Sequence, residues 1–144
     1  MANWIFNAKQ DLKEYASLKE CLENIPEQVS EMESRIISLK AVQYDKTPVQ
    51  GGMSGHESRL IDFIDKKERL LLNYEIAKAK VARIERGLSV LNDRERFVIE
   101  KDFFEGWRIE SICVALNYEE RTIYNIKNTA LKKFTLAMFG VLDI

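Results

Sequence analysis

Ile109-Glu-Ser-Ile-Cys113-Val-Ala-Leu-Asn117-Tyr-Glu-Glu-Arg121-Thr-Ile-Tyr-Asn125-Ile-Lys-Asn128 contains two amphipathic runs broken once, at Asn117. Cys113 is a small residue between Ile112 and Leu116, where a crossing helix can come close. Four positions on stands Asn117, and asparagine is, after glycine, the residue that best tolerates a positive backbone φ, so a tight turn fits there. Ile123 and Ile126 follow ten and thirteen positions after Cys113, a spacing that lays both on one helix face. The opposite face carries Glu120, Arg121, Tyr124, Asn125, Lys127 and Asn128, groups able to hydrogen-bond base edges or phosphates. A helix-turn-helix is therefore expected, with helices over Ile109 to Leu116 and Glu119 to about Met138.

Upstream, Asp93 to Phe104 is expected to form a third helix of the same small unit, with Asn92 or Asp93 as its N-cap. Phe97, Phe103, Phe104, Trp107 and Phe134 are expected to fill its core. Gly87 marks a loosening of the preceding helix, and a short link follows from Leu88. Before that link lies a long seam. Leu60, Phe63, Lys67, Leu70, Tyr74, Ala77, Val81, Ile84 and Leu88 alternate at spacings of three and four, and eight of the nine are apolar or aromatic, which makes four heptads on one helix. Leu18, Leu22, Ile25, Val29, Met32, Ile36 and Leu39 form a second seam. It is interrupted by Pro26, which starts a new helix after Asn24 or kinks a continuous one.

Residues 45–55, with Pro48, Gly51, Gly52 and Gly55, are the expected turn between antiparallel helices. A helix over Pro26 to Tyr44 spans about 28 Å and one over Glu57 to Arg86 about 45 Å at ~1.5 Å per residue. A further helix over about Lys9 to Glu23 is then needed to cover the difference. Any seam left bare would pair with a second chain. The expected fold is all-α: a long antiparallel, coiled-coil-like helical hairpin over residues 1–87, serving oligomerisation, followed by a small trihelical helix-turn-helix domain over residues 88–144.

The chain has 144 residues, 46% hydrophobic and 31% charged, enough for one domain or two small helical units and too few for most large enzyme folds. Cys21 and Cys113 stand far apart without a ligand-spaced histidine, so neither a disulfide nor a metal site is expected, and Cys113 reads as an inert core thiol. His56, the single histidine, is expected to be solvated in the loop. Gly51-Gly52 is followed by no Gly-Lys-Ser or Gly-Lys-Thr and is no phosphate loop. No apolar run approaches the ~18 residues that span a bilayer, and no basic region precedes a signal-like core. A cytoplasmic protein without membrane contact, cofactor or catalytic centre is expected.

Leu91-Asn-Asp-Arg-Glu-Arg-Phe-Val-Ile99, Phe103-Phe-Glu-Gly-Trp107, Ile109-Glu-Ser-Ile-Cys113, Thr122-Ile-Tyr-Asn-Ile126 and Ala130-Leu-Lys-Lys-Phe134, in this order, resemble the fourth conserved region of sigma-70 factors. They similarly resemble phage activators of the ArpU and RinA type. The resemblance covers Leu91 to Phe134, under a third of the chain, and the order of motifs is more specific than any one of them. The N-terminal part, with its Pro48-Val-Gln-Gly-Gly52 loop, resembles a group of phage and prophage proteins of Gram-positive bacteria. What this implies is a sequence-specific DNA-binding transcriptional regulator with double-stranded DNA as its partner, and not an enzyme. The promoter-touching residues of the family correspond to Glu120, Arg121, Tyr124 and Asn125. Arg121 suits guanine or phosphate through two parallel hydrogen bonds, and Asn125 suits adenine. Lys127, Lys132 and Lys133 would serve the DNA backbone, with Asn128 on the same face and Trp107 and Arg108 at the start of the first motif helix.

Net charge is −1, so no whole-molecule field draws the chain to nucleic acid. Residues 88–144 hold eight Lys or Arg against nine Asp or Glu, also −1. Arg108 and Glu119 stand at helix starts where serine or threonine would cap, leaving the capping oxygen missing or replaced by a carboxylate. A single copy is thus expected to bind DNA weakly and to work as a homodimer through the hairpin, or recruited by another DNA-bound protein. Two alternatives stay open: a DNA-packaging subunit like a small terminase, and a module that grips RNA polymerase or a sigma factor without touching DNA.

Overall fold

The computed structural model describes residues 3–44 and 55–142. It is all-α, with no strand among the described residues. Helix α1 spans Trp4–Tyr44 and α2 spans Gly55–Ser89. Next come α3 (Asp93–Ile99), continued by a π-helical turn over Glu100–Phe104, α4 (Ile109–Leu116) and α5 (Glu120–Phe139). Of the expected turn at 45–55, residues 45–54 lie outside the described residues, and Gly55 begins α2. Among the described residues no helix is long and apolar enough to cross a membrane.

The chain forms two compact units, Lys19–Lys78 and Met1–Leu18 with Ala79–Ile144. In the first, Ile25, Met32, Ile36 and Ala77 are buried, and Leu22, Val29, Leu39, Leu60, Phe63, Leu70 and Tyr74 are half-buried, so both seams face inward. The pairings run antiparallel: Lys67 Nζ meets Glu33 Oε1 at 3.2 Å, and the Arg35 guanidinium lies 5.6 Å from the Phe63 ring centroid. His56 is not a solvated loop residue. It is the second residue of α2, partly buried, with Nε2 2.6 Å from the Leu39 carbonyl oxygen, which can only accept, so Nε2 donates.

Pro26 starts no new helix, and no separate helix ends near Glu23, because α1 is continuous through it. The reason is the seam: Leu22, Ile25, Val29 and Met32 keep one inward face across the proline, while Pro26 itself is exposed. Pro26 has no N–H to give to the Leu22 carbonyl, an effect of ~3 kcal/mol in an interior helix position, and continuous burial along the seam outweighs that loss.

The second unit takes in more than residues 88–144. Its core joins Ala8 and Leu12 of α1 and Ile84 and Leu88 of α2 to Leu91, Ile99, Ala130, Leu131, Phe134 and Met138. Tyr15 stacks on Phe104 at 5.0 Å and donates to Glu85 Oε1 at 2.8 Å. Lys80 reaches Glu14 at 3.1 Å and Asp11 at 3.6 Å. Gly87 does not loosen α2, which continues to Ser89. It lets α5 close in: a Cβ there would lie 2.7 Å from two ring atoms of Phe134 and 3.1 Å from Met138 Cγ.

Candidate nucleic-acid interface

Asn92 caps α3 by accepting from the Glu95 N–H at 2.8 Å, and Glu95 Oε1 accepts from the Asn92 N–H at 3.1 Å, a reciprocal capping box. Glu95 is buried, and its carboxylate is also held by Lys133 Nζ at 3.0 Å. This fixes α3 against α5. One turn further along α3, Val98 forms a small core with Ile112 of α4 and Ile123 of α5, joined by Phe97, Ile109, Cys113, Leu116, Tyr118 and Ile126. Cys113 sits among apolar neighbours in this core, as its small size suggested.

The α4–α5 connection turns where the sequence places it. Asn117 adopts φ 57°, ψ 45°, and its N–H and that of Tyr118 both bond back to the Cys113 carbonyl, the latter at 3.1 Å. The turn sends α5 off with Ile123 fully buried and Ile126 half-buried against α4. Glu120, Arg121, Tyr124, Asn125 and Asn128 are all exposed, so α5 presents its polar side to solvent over its first two and a half turns. The second half of α5 differs. Ala130, Leu131, Phe134, Thr135 and Met138 are buried in the larger core, and the Thr135 hydroxyl donates to the Leu131 carbonyl at 2.6 Å.

The charges are more ordered than their sum suggests. Of the basic residues beyond Leu88, Lys101 pairs with Glu105, Lys127 with Asp102 and Lys133 with Glu95. Lys127 also lies 5.3 Å from the Phe103 ring centroid. It and Lys133, both expected on the DNA backbone, are thus held by carboxylates and would have to leave them. Arg108, Arg121 and Lys132 are exposed and in no ion pair among the described residues. Arg94 was not singled out by its sequence. The structure stacks its guanidinium 5.0 Å from the centroid of Tyr118 and lines a shallow groove with it, Asn92, Asn125 and Thr129, beside the exposed face of α5. Only the fold brings position 94 to 125; the Arg94-Glu-Arg96 run carries no local sign of it.

Neither Arg108 nor Glu119, the N-caps of α4 and α5, makes a side-chain capping bond. The first N–H groups of both helices are therefore open to water or to an anion. Trp107, expected in the core, is 37% exposed. Gly106 takes φ +67° and turns the chain outward, so the indole meets Phe97 edge-on at 6.2 Å with Lys101 Nζ 4.8 Å from its centroid. Beside it on α4, Val114 is 83% exposed, and the two line an apolar groove with Ser111 and Ala115. Among the described residues no cluster of His, Cys, Asp and Glu could hold a metal ion. No family model, curated protein or solved structure matches the chain.

Proposed function

We propose that the chain is a sequence-specific DNA-binding transcriptional regulator of phage or prophage type, a helical hairpin carrying a sigma-like helix-turn-helix head. The observation that carries this reading is the polar face of α5: Arg121, Tyr124, Asn125 and Asn128 stand exposed while Ile123, on the opposite side, is fully buried. An α-helix with that exposed face can enter a major groove, and the αL turn at Asn117 supplies the angle at which such a helix leaves its partner. Arg121 reads guanine or binds phosphate, Asn125 reads adenine, and Tyr124 and Glu120 flank them. Arg108, Lys132 and Arg94 serve phosphates, with the uncapped amino ends of α4 and α5.

The test is selection of bound sequences from random duplexes, followed by fluorescence anisotropy on the winner. Arg121→Ala should weaken binding about fivefold to 150-fold, the ~1–3 kcal/mol of a bidentate base contact, with unchanged helical content. Equal affinity for every duplex, or no loss in that variant, would remove the assignment.

A second reading is supported by the exposed Trp107 and Val114: the same head grips RNA polymerase or a sigma factor. A polymerase pull-down that survives nuclease and is lost in Val114→Asp, together with no DNA shift at low salt, would put this reading first.

A further inference from the structure

Of the cations beside the exposed face of α5, Arg94 is held in a way that leaves its charge free. Lys127 and Lys133 each sit on a carboxylate, Asp102 and Glu95, which a phosphate would have to displace. Arg94 has no carboxylate partner among the described residues. Its guanidinium lies 5.0 Å from the centroid of the Tyr118 ring instead. A ring face attracts a cation through its quadrupole without neutralising it, and it takes up no conventional hydrogen bond, so the N–H donors stay available to an anion.

Both ends of this contact are fixed by the fold. Tyr118 directly follows the turn residue Asn117, its N–H bonds the Cys113 carbonyl at 3.1 Å, and its side chain packs on the core of Val98, Ile112 and Ile123. Arg94 stands between Asn92 and Glu95, whose reciprocal bonds of 2.8 and 3.1 Å hold the first turn of α3. Arg94 thus lines one shallow groove with Asn125 and Thr129 of α5.

We propose that Tyr118 is a positioning residue: its ring holds the Arg94 guanidinium over this groove for a backbone phosphate of duplex DNA, next to the base that Asn125 meets. This rests on the DNA-binding reading and adds the residue that orders the contact. The gain is preorganisation. An arginine loose in solvent loses its rotamer freedom when it takes a phosphate, whereas one held on a ring has lost much of it on folding. Immobilising one such side chain weakens association about two- to tenfold, which sets the size of the effect. The sign is diagnostic as well. Because Arg94 shares its groove with Asn125, the guanidinium keeps the ring while it bonds the phosphate. Were it to leave, the ring would compete with DNA, and removing the ring would tighten binding.

The experiment is a double-mutant cycle of the full chain on a fluorescent duplex from the selection and on a mixed-sequence duplex, read by anisotropy across salt. Arg94→Gln should weaken binding to both duplexes by the same factor and lower the log–log salt slope by about one, because a phosphate carries no sequence. Tyr118→Leu keeps an apolar side chain on the core and removes the ring face. It should weaken binding about two- to tenfold in the wild-type background and not at all in the Arg94→Gln background. Tyr118→Phe, which keeps the ring, should restore the affinity lost in Tyr118→Leu. In NMR spectra of the protein without DNA, the Arg94 side-chain protons should be shifted upfield by the ring in the wild type and in Tyr118→Phe, and not in Tyr118→Leu. An equal loss for Tyr118→Leu in both backgrounds, tighter binding by that variant, or Arg94 resonances indifferent to it would each overturn the proposal while leaving the DNA reading in place. A wild type that binds neither duplex would overturn both.

Discussion

Replacing Gly87 with alanine tests how closely α2 and α5 meet. In an open helix the change would stabilise, because glycine is ~1 kcal/mol worse than alanine in a helix interior. Here the added methyl would lie 2.7 Å from Cδ2 and Cε2 of Phe134 and 3.1 Å from Met138 Cγ. The ring cannot swing away, since Phe134 is fully buried among Leu12, Ile84, Leu88 and Leu131. Overpacking of this kind costs ~1–3 kcal/mol, and two contacts on an immobile ring with a third on Met138 place it in the upper part of that range. The expected net is a loss of about 1–2 kcal/mol after the propensity gain, or roughly 3–6 °C in Tm for a chain of this size. Urea denaturation followed by circular dichroism measures it. Combining Gly87→Ala with Phe134→Leu, which opens room at the ring, should cost less than the sum of the two single changes. A Tm that rises in Gly87→Ala, or strict additivity in the double variant, would refute the close approach.

Asp102→Ala removes the carboxylate that holds Lys127, and should tighten DNA binding and steepen its log–log salt dependence by about one; an unchanged slope in an anisotropy titration would show that Lys127 never reaches phosphate. At Asn117, with φ 57°, a change to glycine should leave stability within a few tenths of a kcal/mol, whereas valine should lower it by ~1–2 kcal/mol in urea melts; equal effects would argue against the left-handed turn. Alkaline pH should weaken the fold. The Tyr15 hydroxyl is pushed up to about 12 by burial and then by its bond to Glu85, and Lys80 is raised chiefly by its bond to Glu14. Both hold their protons longer folded than unfolded, so their stabilisation is complete below about pH 10 and is lost as pH climbs towards 12. Urea midpoints across pH 8–12 should fall, less steeply in Tyr15→Phe, and a flat or parallel pair of curves would contradict this.

Local patterning made much of the chain legible. The inward residues of both long helices follow the three-and-four spacing, because a helix face is set by positions within one turn of each other. The bounds of α4, a cap at Asn92 or its neighbour Asp93 and the left-handed Asn117 were readable for the same reason: each depends on the chemistry of a residue and its neighbours within five positions, and the structure makes Asn92 the cap. The exposed set Glu120, Arg121, Tyr124, Asn125 and Asn128 followed from Ile123 and Ile126 facing inward. Trp107 misled, because hydrophobicity alone placed it inside, while Gly106 turns it out.

What the sequence determined by itself was the helical identity of its segments and the face each turns inward, since backbone propensity and periodicity act over a few residues. Which distant segments share a core was decided by tertiary packing. Ala8 and Leu12 meet Phe134 more than a hundred positions away, and Glu95 takes Lys133 while Asp102 takes Lys127. Such partners are chosen by shape and by the cost of burying an unpaired charge, and neither quantity exists until the chain has folded.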